Sequence, residues 1–197
     1  AKCFFCNSGA EANEGIIKLA RLWGSKQGRH EIITFKQSFH GRTLATLTAT
    51  GQDKVKHGFG PLLEGFVYAD YNDLDSVQKL MGPQTVAVMV EALQGEGGVI
   101  PSNPEFLPGL RALCDEAGIL LLCDEVQAGV GRTGMWFGFQ QYGVQPDAFS
   151  LAKGLGGGFP IGGIVAGEQL ANTFHPGHHA TTFGGTPLGS AAALAVI

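Results

Sequence analysis

The sequence predicts an α/β domain with a mostly parallel sheet flanked by helices. Three observations carry that expectation. Short β-rich apolar runs alternate with segments of helical period, the pattern of strand–helix–strand units. Several runs are apolar at consecutive positions, as in Val86-Ala87-Val88-Met89-Val90 and Ile119-Leu120-Leu121-Leu122. A strand wet on one face alternates apolar and polar residues, so a continuous run indicates burial on both faces. Glycine supplies 31 of 197 residues, about twice its usual share, without the period of a collagen or repeat protein. Many of these glycines cluster between the apolar runs, where backbone can come close to a ligand.

The elements follow in order. The first strand is expected at Lys2–Cys6. Ser8-Gly9-Ala10-Glu11 then forms a capping box: the Ser8 hydroxyl can satisfy one open amide, and Glu11 can reach back to another. The helix it opens carries Ala12, Ile16, Leu19, Ala20 and Trp23 on one stripe. Strands follow at Glu31–Phe35 and Gly65–Tyr68, a short helix at Asp73–Met81, and a strand at Val86–Val90. Asn103-Pro104 is expected to start a longer helix. Leu107, Leu110, Leu113, Cys114 and Ala117 would face inward, and Gly118 would stop it. Next come a strand at Ile119–Cys123, a short helix at Gly134–Tyr142, and strands at Ala148–Leu151 and Ile164–Ala166. From Pro187 onward the pattern is helical again. No linker or repeat interrupts the chain, so residues 1–197 read as one domain with its own core. The chain opens without methionine, inside an apolar run, and is expected to be a fragment of a longer protein.

Composition narrows the function classes. Apolar residues make up 44% and charged residues 15%, the balance of a well-buried protein. The formal net charge is −4 and no basic cluster stands out, which argues against nucleic acid and anionic membranes as partners. No apolar stretch reaches the length of a membrane span. Cys3 and Cys6 have C-x-x-C spacing, but three residues apart on a strand they point to opposite faces. No metal site is expected, and the four cysteines read as buried free thiols of a reducing cytoplasm.

Four features carry chemistry. Lys153 is the only lysine after Lys79, placed between an apolar strand and the run Gly154-Leu155-Gly156-Gly157-Gly158. An apolar, glycine-lined setting disfavours an ammonium and frees the amine as a nucleophile, as a Schiff-base lysine requires. Asp124-Glu125-Val126-Gln127 stands at the end of a strand, where open parallel sheets bind ligands. A carboxylate there can hold a protonated ring nitrogen, and the Gln127 amide can donate to a ring oxygen. The helix start at Ser8-Gly9-Ala10 offers open amides and the positive end of a dipole to a phosphate. In Phe39-His40-Gly41-Arg42-Thr43, Phe39 can stack on a flat ring and Arg42 can clamp a carboxylate, while His40 receives no role. Each feature alone has an ordinary structural explanation. Together they match one ligand, pyridoxal 5′-phosphate (PLP), whose protonated ring needs an acid partner to act as an electron sink.

One motif competes. Gly129-Val130-Gly131-Arg132-Thr133-Gly134 fits G-x-G-x-x-G, with Asp147 downstream. A dinucleotide fingerprint leaves its strand at the first glycine, but here Asp124–Ala128 intervene, and a carboxylate pair before the turn would oppose a pyrophosphate. A second competitor is a binding or regulatory protein that keeps the core without the activity; the joint presence of Lys153, Asp124 and Arg42 argues against it.

The sequence resembles the class III aminotransferases, the ornithine, acetylornithine and 4-aminobutyrate group of fold type I. The matching stretches run from end to end in family order. They are Asn7–Glu14, Phe39–Thr43, Gln94–Gly98, Asp124–Gln127 with Gly129–Gly134, Ala152–Gly154 through Phe159-Pro160, and Thr181–Gly185. The acetylornithine branch is the most similar. The resemblance implies a PLP-binding large domain, with an upstream segment and a C-terminal small domain outside this chain. It implies that Lys153 carries the cofactor as an imine and shuttles a proton, and that Asp124 pairs with the ring nitrogen. Gln127 would bond the ring oxygen, Phe39 and Val126 would sandwich the ring, and Ser8, Gly9 and Ala10 would hold the phosphate. Thr182 would reach the phosphate of the neighbouring subunit in a homodimer with shared active sites, with Thr181 touching substrate. Arg42 would bind the substrate α-carboxylate, and Glu96 would pair with a C-terminal arginine so that two substrates are accepted in turn. The implied reaction is a two-stage transfer of an ω-amino group, from N-acetylornithine to 2-oxoglutarate, as in arginine biosynthesis. Ornithine, succinylornithine and 4-aminobutyrate are the alternative donors. Two positions depart from the family pattern: Ala92 where proline is usual, and Thr186 where asparagine is usual.

Overall fold

The computed structural model describes residues 1–197. Its centre is a seven-stranded sheet. The strands are β1 (Lys2–Cys6), β2 (Glu31–Phe35), β3 (Phe66–Ala69), β4 (Thr85–Val90), β7 (Leu120–Asp124), β8 (Ala148–Leu151) and β9 (Gly162–Ala166). Their spatial order is β1-β9-β8-β7-β4-β2-β3. The pairs β2·β3, β2·β4, β4·β7 and β7·β8 are parallel, and β9 runs antiparallel to both of its neighbours. A small ribbon of β5 (Leu93–Gln94) and β6 (Ile100–Pro101) lies outside this sheet.

The continuous apolar runs behave as expected. Every residue of β4 and β7 is buried. Alternate side chains enter two cores. Val88, Val90, Leu121 and Cys123 pack with Phe106, Leu107 and Leu110 of α5 (Phe106–Ala117). Ala87, Met89, Leu120 and Leu122 pack on the other face with Ile16, Ile17, Leu19 and Ala20 of α1 (Gly9–Gly24). Each fully buried Leu or Ile contributes about 1.5–3 kcal/mol relative to exposure, so this two-sided burial sets the sheet's position and direction.

The cap on α1 forms as its sequence suggests. Ser8 Oγ accepts the Glu11 amide at 3.2 Å, and Glu11 Oε2 accepts the Asn7 amide at 2.8 Å. Asp73 caps α4 (Leu74–Leu80), Gly118 closes α5 at φ 59°, and Thr186 caps α6 (Pro187–Val196).

Several expectations shift. The long helix starts at Phe106 rather than at Asn103-Pro104, because Asn72 Oδ1 accepts the Asn103 amide at 2.8 Å and holds that residue in a turn. Gly134–Tyr142 is not a helix; only a 3-10 turn at Gly138–Tyr142 forms. The Phe137 and Phe139 rings stack there at 5.3 Å, two residues apart, a pairing that an α-helix does not permit. Two short helices, α2 (Leu44–Ala49) and α3 (Asp53–Lys56), add to the expected set. Cys3 is exposed rather than buried, and Cys6, Cys114 and Cys123 are buried, all as free thiols. The G-x-G-x-x-G stretch forms consecutive turns without a following helix. Asp147 accepts from Arg111 Nη1 and the Leu121 amide, so it braces the sheet. No helix is long and apolar enough to cross a membrane.

Candidate active site

A cavity of about 430 Å³ opens at the carboxyl ends of β7 and β8, against the N-terminus of α1. It lies where an open sheet gathers ligands. Its wall brings together Ser8, Gly9, Ala10, Phe39, Arg42, Asp124, Val126, Gln127 and Lys153, all singled out from the sequence.

Asp124 is the last residue of β7 and is 4% exposed. Its Oδ2 accepts from Asn13 Nδ2 at 2.7 Å and from His40 Nδ1 at 2.8 Å. Its Oδ1 accepts the Val126 amide at 3.0 Å and, at 3.4 Å, the Ser150 hydroxyl. These donors replace the water that a buried carboxylate loses. Asn13 is itself fixed: its Nδ2 also donates to the His40 carbonyl at 2.7 Å, and its Oδ1 accepts the Ser150 hydroxyl at 2.6 Å. Burial works against protonation of His40, but its hydrogen bond to Asp124, with the Asp124 and Glu91 charges, outweighs burial and raises its pKa. The His40 Nε2 atom is buried without a partner.

Lys153 follows the buried Ala152 and begins a 3-10 turn with φ 45°, a left-handed backbone that is strained for a side-chain-bearing residue. The expected apolar enclosure is not what this chain builds: Lys153 is exposed on the cavity wall. Strain at a residue facing a cavity is nonetheless a mark of functional positions.

The first intrahelical bond of α1 runs from the Ala12 amide to the Ser8 carbonyl, so the Gly9 and Ala10 amides precede the ladder and face the cavity end. A Cβ on Gly9 would stand 2.7 Å from Val126 Cγ1, so glycine is what lets the loop after β7 lie on the helix start. Phe39 is half-buried, with the Arg42 guanidinium 5.7 Å from its ring centre. Gln127 lies against Gly95, where an added Cβ would stand 2.7 Å from its Oε1.

Three expected site residues lie outside the cavity wall. Glu96 is exposed on the loop between β5 and β6, and Thr182 is exposed near the chain's end. Thr181 Oγ1 accepts from Asn7 Nδ2 at 3.2 Å, beside the helix start. Four contributors escaped the sequence reading or received no role: Asn13, His40, Ser150 and Glu91. The available signal was a polar residue where the pattern reserves an apolar one. Asn13 sits on the buried stripe of α1, Ser150 inside an apolar strand, and Glu91 directly after the β4 run.

The wall's donor set fits PLP. It offers an acid for a ring nitrogen, an amine, an amide, an aromatic face and a helix N-terminus for a phosphate. Glycine at position 9 keeps the helix start close against Val126, where any Cβ would collide.

Comparison with known proteins agrees with this fold. Residues 1–197 match the family model "Aminotransferase class-III". The chain is 56% identical, over 100% of its length, to 50% of the acetylornithine aminotransferase of Caldanaerobacter subterraneus subsp. tengcongensis. It is 55% identical to the acetylornithine aminotransferase of Myxococcus xanthus, covering 100% of this chain and 50% of that protein. Among solved structures it resembles the ornithine aminotransferase of Toxoplasma gondii, in which PLP partly occupies the active site. That match has TM-score 0.95 and 32% identity over 100% of this chain and 48% of the other. It also resembles an (S)-enantioselective omega-transaminase from Thermomicrobium roseum, with TM-score 0.94 and 32% identity over 98% of this chain and 50% of the other. The chain thus spans about half the length of the curated relatives it matches. On this match and this sheet, the chain belongs to the class III aminotransferase family and has the α/β architecture of fold type I.

Proposed function

We propose that the protein is a PLP-dependent aminotransferase that moves an ω-amino group from N-acetylornithine to 2-oxoglutarate in two half-reactions. The observation that carries this reading is the convergence of Lys153 and Asp124, from the ends of the neighbouring strands β8 and β7, on one cavity. Relatives at 54–56% identity that carry the acetylornithine name support the choice of donor.

Bound PLP supplies an electron-poor ring that accepts charge from a substrate carbon. The Lys153 amine is the group that would hold the cofactor covalently, and its Nζ would afterwards take and return the proton moved in each half-reaction. Asp124, oriented by Asn13, His40 and Ser150, would accept a hydrogen bond from the ring nitrogen. Gln127 would donate to the ring oxygen, with Phe39 and Val126 on either face. Ser8 and the Gly9 and Ala10 amides would hold the phosphate. Arg42, at the open side of the cavity, would bind the substrate α-carboxylate through its planar fork.

The remaining assignments reach beyond these residues. Residues 1–197 would form the PLP-binding large domain of a longer chain. Glu96, exposed on its loop, would meet an arginine of the C-terminal part, and Thr182 would reach the phosphate site of a second copy, with Thr181 near substrate. The assembly is thus a homodimer with shared sites, placed in the cytoplasm, a placement that the four free thiols suit.

A panel of amino donors with 2-oxoglutarate, using the full-length protein, tests this reading. N-acetylornithine should have the highest kcat/KM, above ornithine, succinylornithine and 4-aminobutyrate. A different best donor would reassign the substrate, and no transfer from any donor would overturn the activity.

A further inference from the structure

One buried carboxyl behind the cavity has no task in the mechanism above. Glu91 stands just past β4 and is 3% exposed. Its Oε2 accepts the Phe39 amide at 3.0 Å. Its own carbonyl accepts the Tyr71 hydroxyl at 2.8 Å, which ties down the Glu91 backbone as well. No lysine or arginine forms an ion pair with it. A buried carboxyl with one backbone donor costs free energy that an apolar residue would avoid, so packing alone does not account for it.

The position of that one hydrogen bond is informative. Phe39 and His40 are consecutive, one flanking the cavity and the other donating to Asp124. The two amides of this pair are each held by a side chain: Phe39 by Glu91, and His40 by Thr50 Oγ1 at 2.9 Å. Ser38, just before them, is tied at its hydroxyl by the Gly51 amide. The segment that presents both the ring face and the imidazole is thus fixed by side-chain acceptors, since it belongs to no helix or strand. Burial pushes the Glu91 carboxyl up to about 8, with the His40 charge opposing and the Asp124 charge adding. A neutral acid still accepts the Phe39 amide through its carbonyl oxygen, so glutamine is a close mimic.

We infer that Glu91 is a positioning residue: by accepting the Phe39 amide it sets the Phe39 ring against the cofactor face and the His40 imidazole against Asp124. The inference rests on the PLP reading of the site given above.

The test uses full-length Glu91→Gln and Glu91→Leu, reconstituted with PLP. Visible circular dichroism of the bound cofactor reports how the ring is seated, and PLP affinity and the separation of kcat from KM are measured beside it. Glu91→Gln keeps the acceptor and should retain the dichroic band and the wild-type affinity. Glu91→Leu should lose most of the band and bind PLP about tenfold more weakly, the scale of one lost hydrogen bond. Its kcat should fall with little change in KM. A Leu variant with an unchanged band and affinity overturns the inference, as does a Gln variant that loses the band. If the Leu variant does not fold, the Gln variant alone decides on the same criterion. Wild-type protein without any visible band in the presence of PLP would instead overturn the reading of the site itself.

Discussion

His40 Nδ1 lies 2.8 Å from Asp124 Oδ2, and both side chains are buried. Asn13 donates to the same oxygen at 2.7 Å. This oxygen of the acid that would face the cofactor's ring nitrogen is therefore held by two side chains from separate parts of the chain. Removing His40 leaves Asp124 with one donor fewer and a charge that still has to be buried. His40→Ala should cost about 1–3 kcal/mol in kcat/KM, roughly a 5- to 150-fold loss. His40→Asn, which can still donate, should recover part of it. Steady-state kinetics of the three proteins check this; equal rates in His40→Ala and wild type would remove His40 from the account.

Gly9 gives a steric test of the helix start. A methyl there would stand 2.7 Å from Val126 Cγ1 and push the loop after β7 away from the phosphate end of the cavity. Gly9→Ala should weaken PLP binding by about 1–3 kcal/mol, the range of overpacking. Pairing it with Val126→Ala should restore affinity toward that of Val126→Ala alone. PLP titrations of the single and double variants check this, and strictly additive losses would contradict it.

Arg42 is exposed at the cavity mouth, 5.7 Å from the Phe39 ring centre. Arg42→Ala should raise KM for donors bearing an α-carboxylate by about 10- to 100-fold, the worth of a charge-assisted contact. Simple amines should lose much less. Parallel KM measurements on both donor classes check this, and equal effects would take Arg42 out of the substrate site.

Glu125 yields a pH dependence of stability. Burial raises its carboxyl to about 7, against the pull of the Gly138 and Phe139 amides, and the Asp124 charge adds to the rise. The native state then holds this proton more tightly than the unfolded chain. Its contribution to stability is full below about 4.5, the ordinary value of a glutamate, and is lost as pH rises through about 7. Urea denaturation across that window should show stability declining with pH. Glu125→Gln should flatten the slope even though it loses one of the two amide contacts. An unchanged slope in the variant would contradict the assignment.

Much of the architecture was legible because β4 and β7 are buried on both faces and their sequences say so without interruption. The capping box of Ser8 and Glu11 was legible because both partners are local. The helices α2 and α3, of 6 and 4 residues, are too short to show a period. At Gly134–Tyr142 the aromatic spacing imitates a helix, yet those rings pack on one another and on Phe149. The cavity wall could be read residue by residue, because its members lie at strand ends and a helix start. Their mutual support could not. Asn13 reaches His40, Asp124 and Ser150 across 27, 111 and 137 residues, pairings that no local pattern encodes. The left-handed backbone of Lys153 and its exposure are likewise products of the turn after β8, set by tertiary contacts.

Trapping the cofactor tests the central claim most directly. Full-length protein reconstituted with PLP is reduced with borohydride, digested, and the modified peptide located by mass spectrometry. The account predicts a single PLP adduct on Lys153, with the visible band of lysine-bound PLP and all turnover lost in Lys153→Ala. An adduct on another lysine, or near-normal turnover without Lys153, would contradict it.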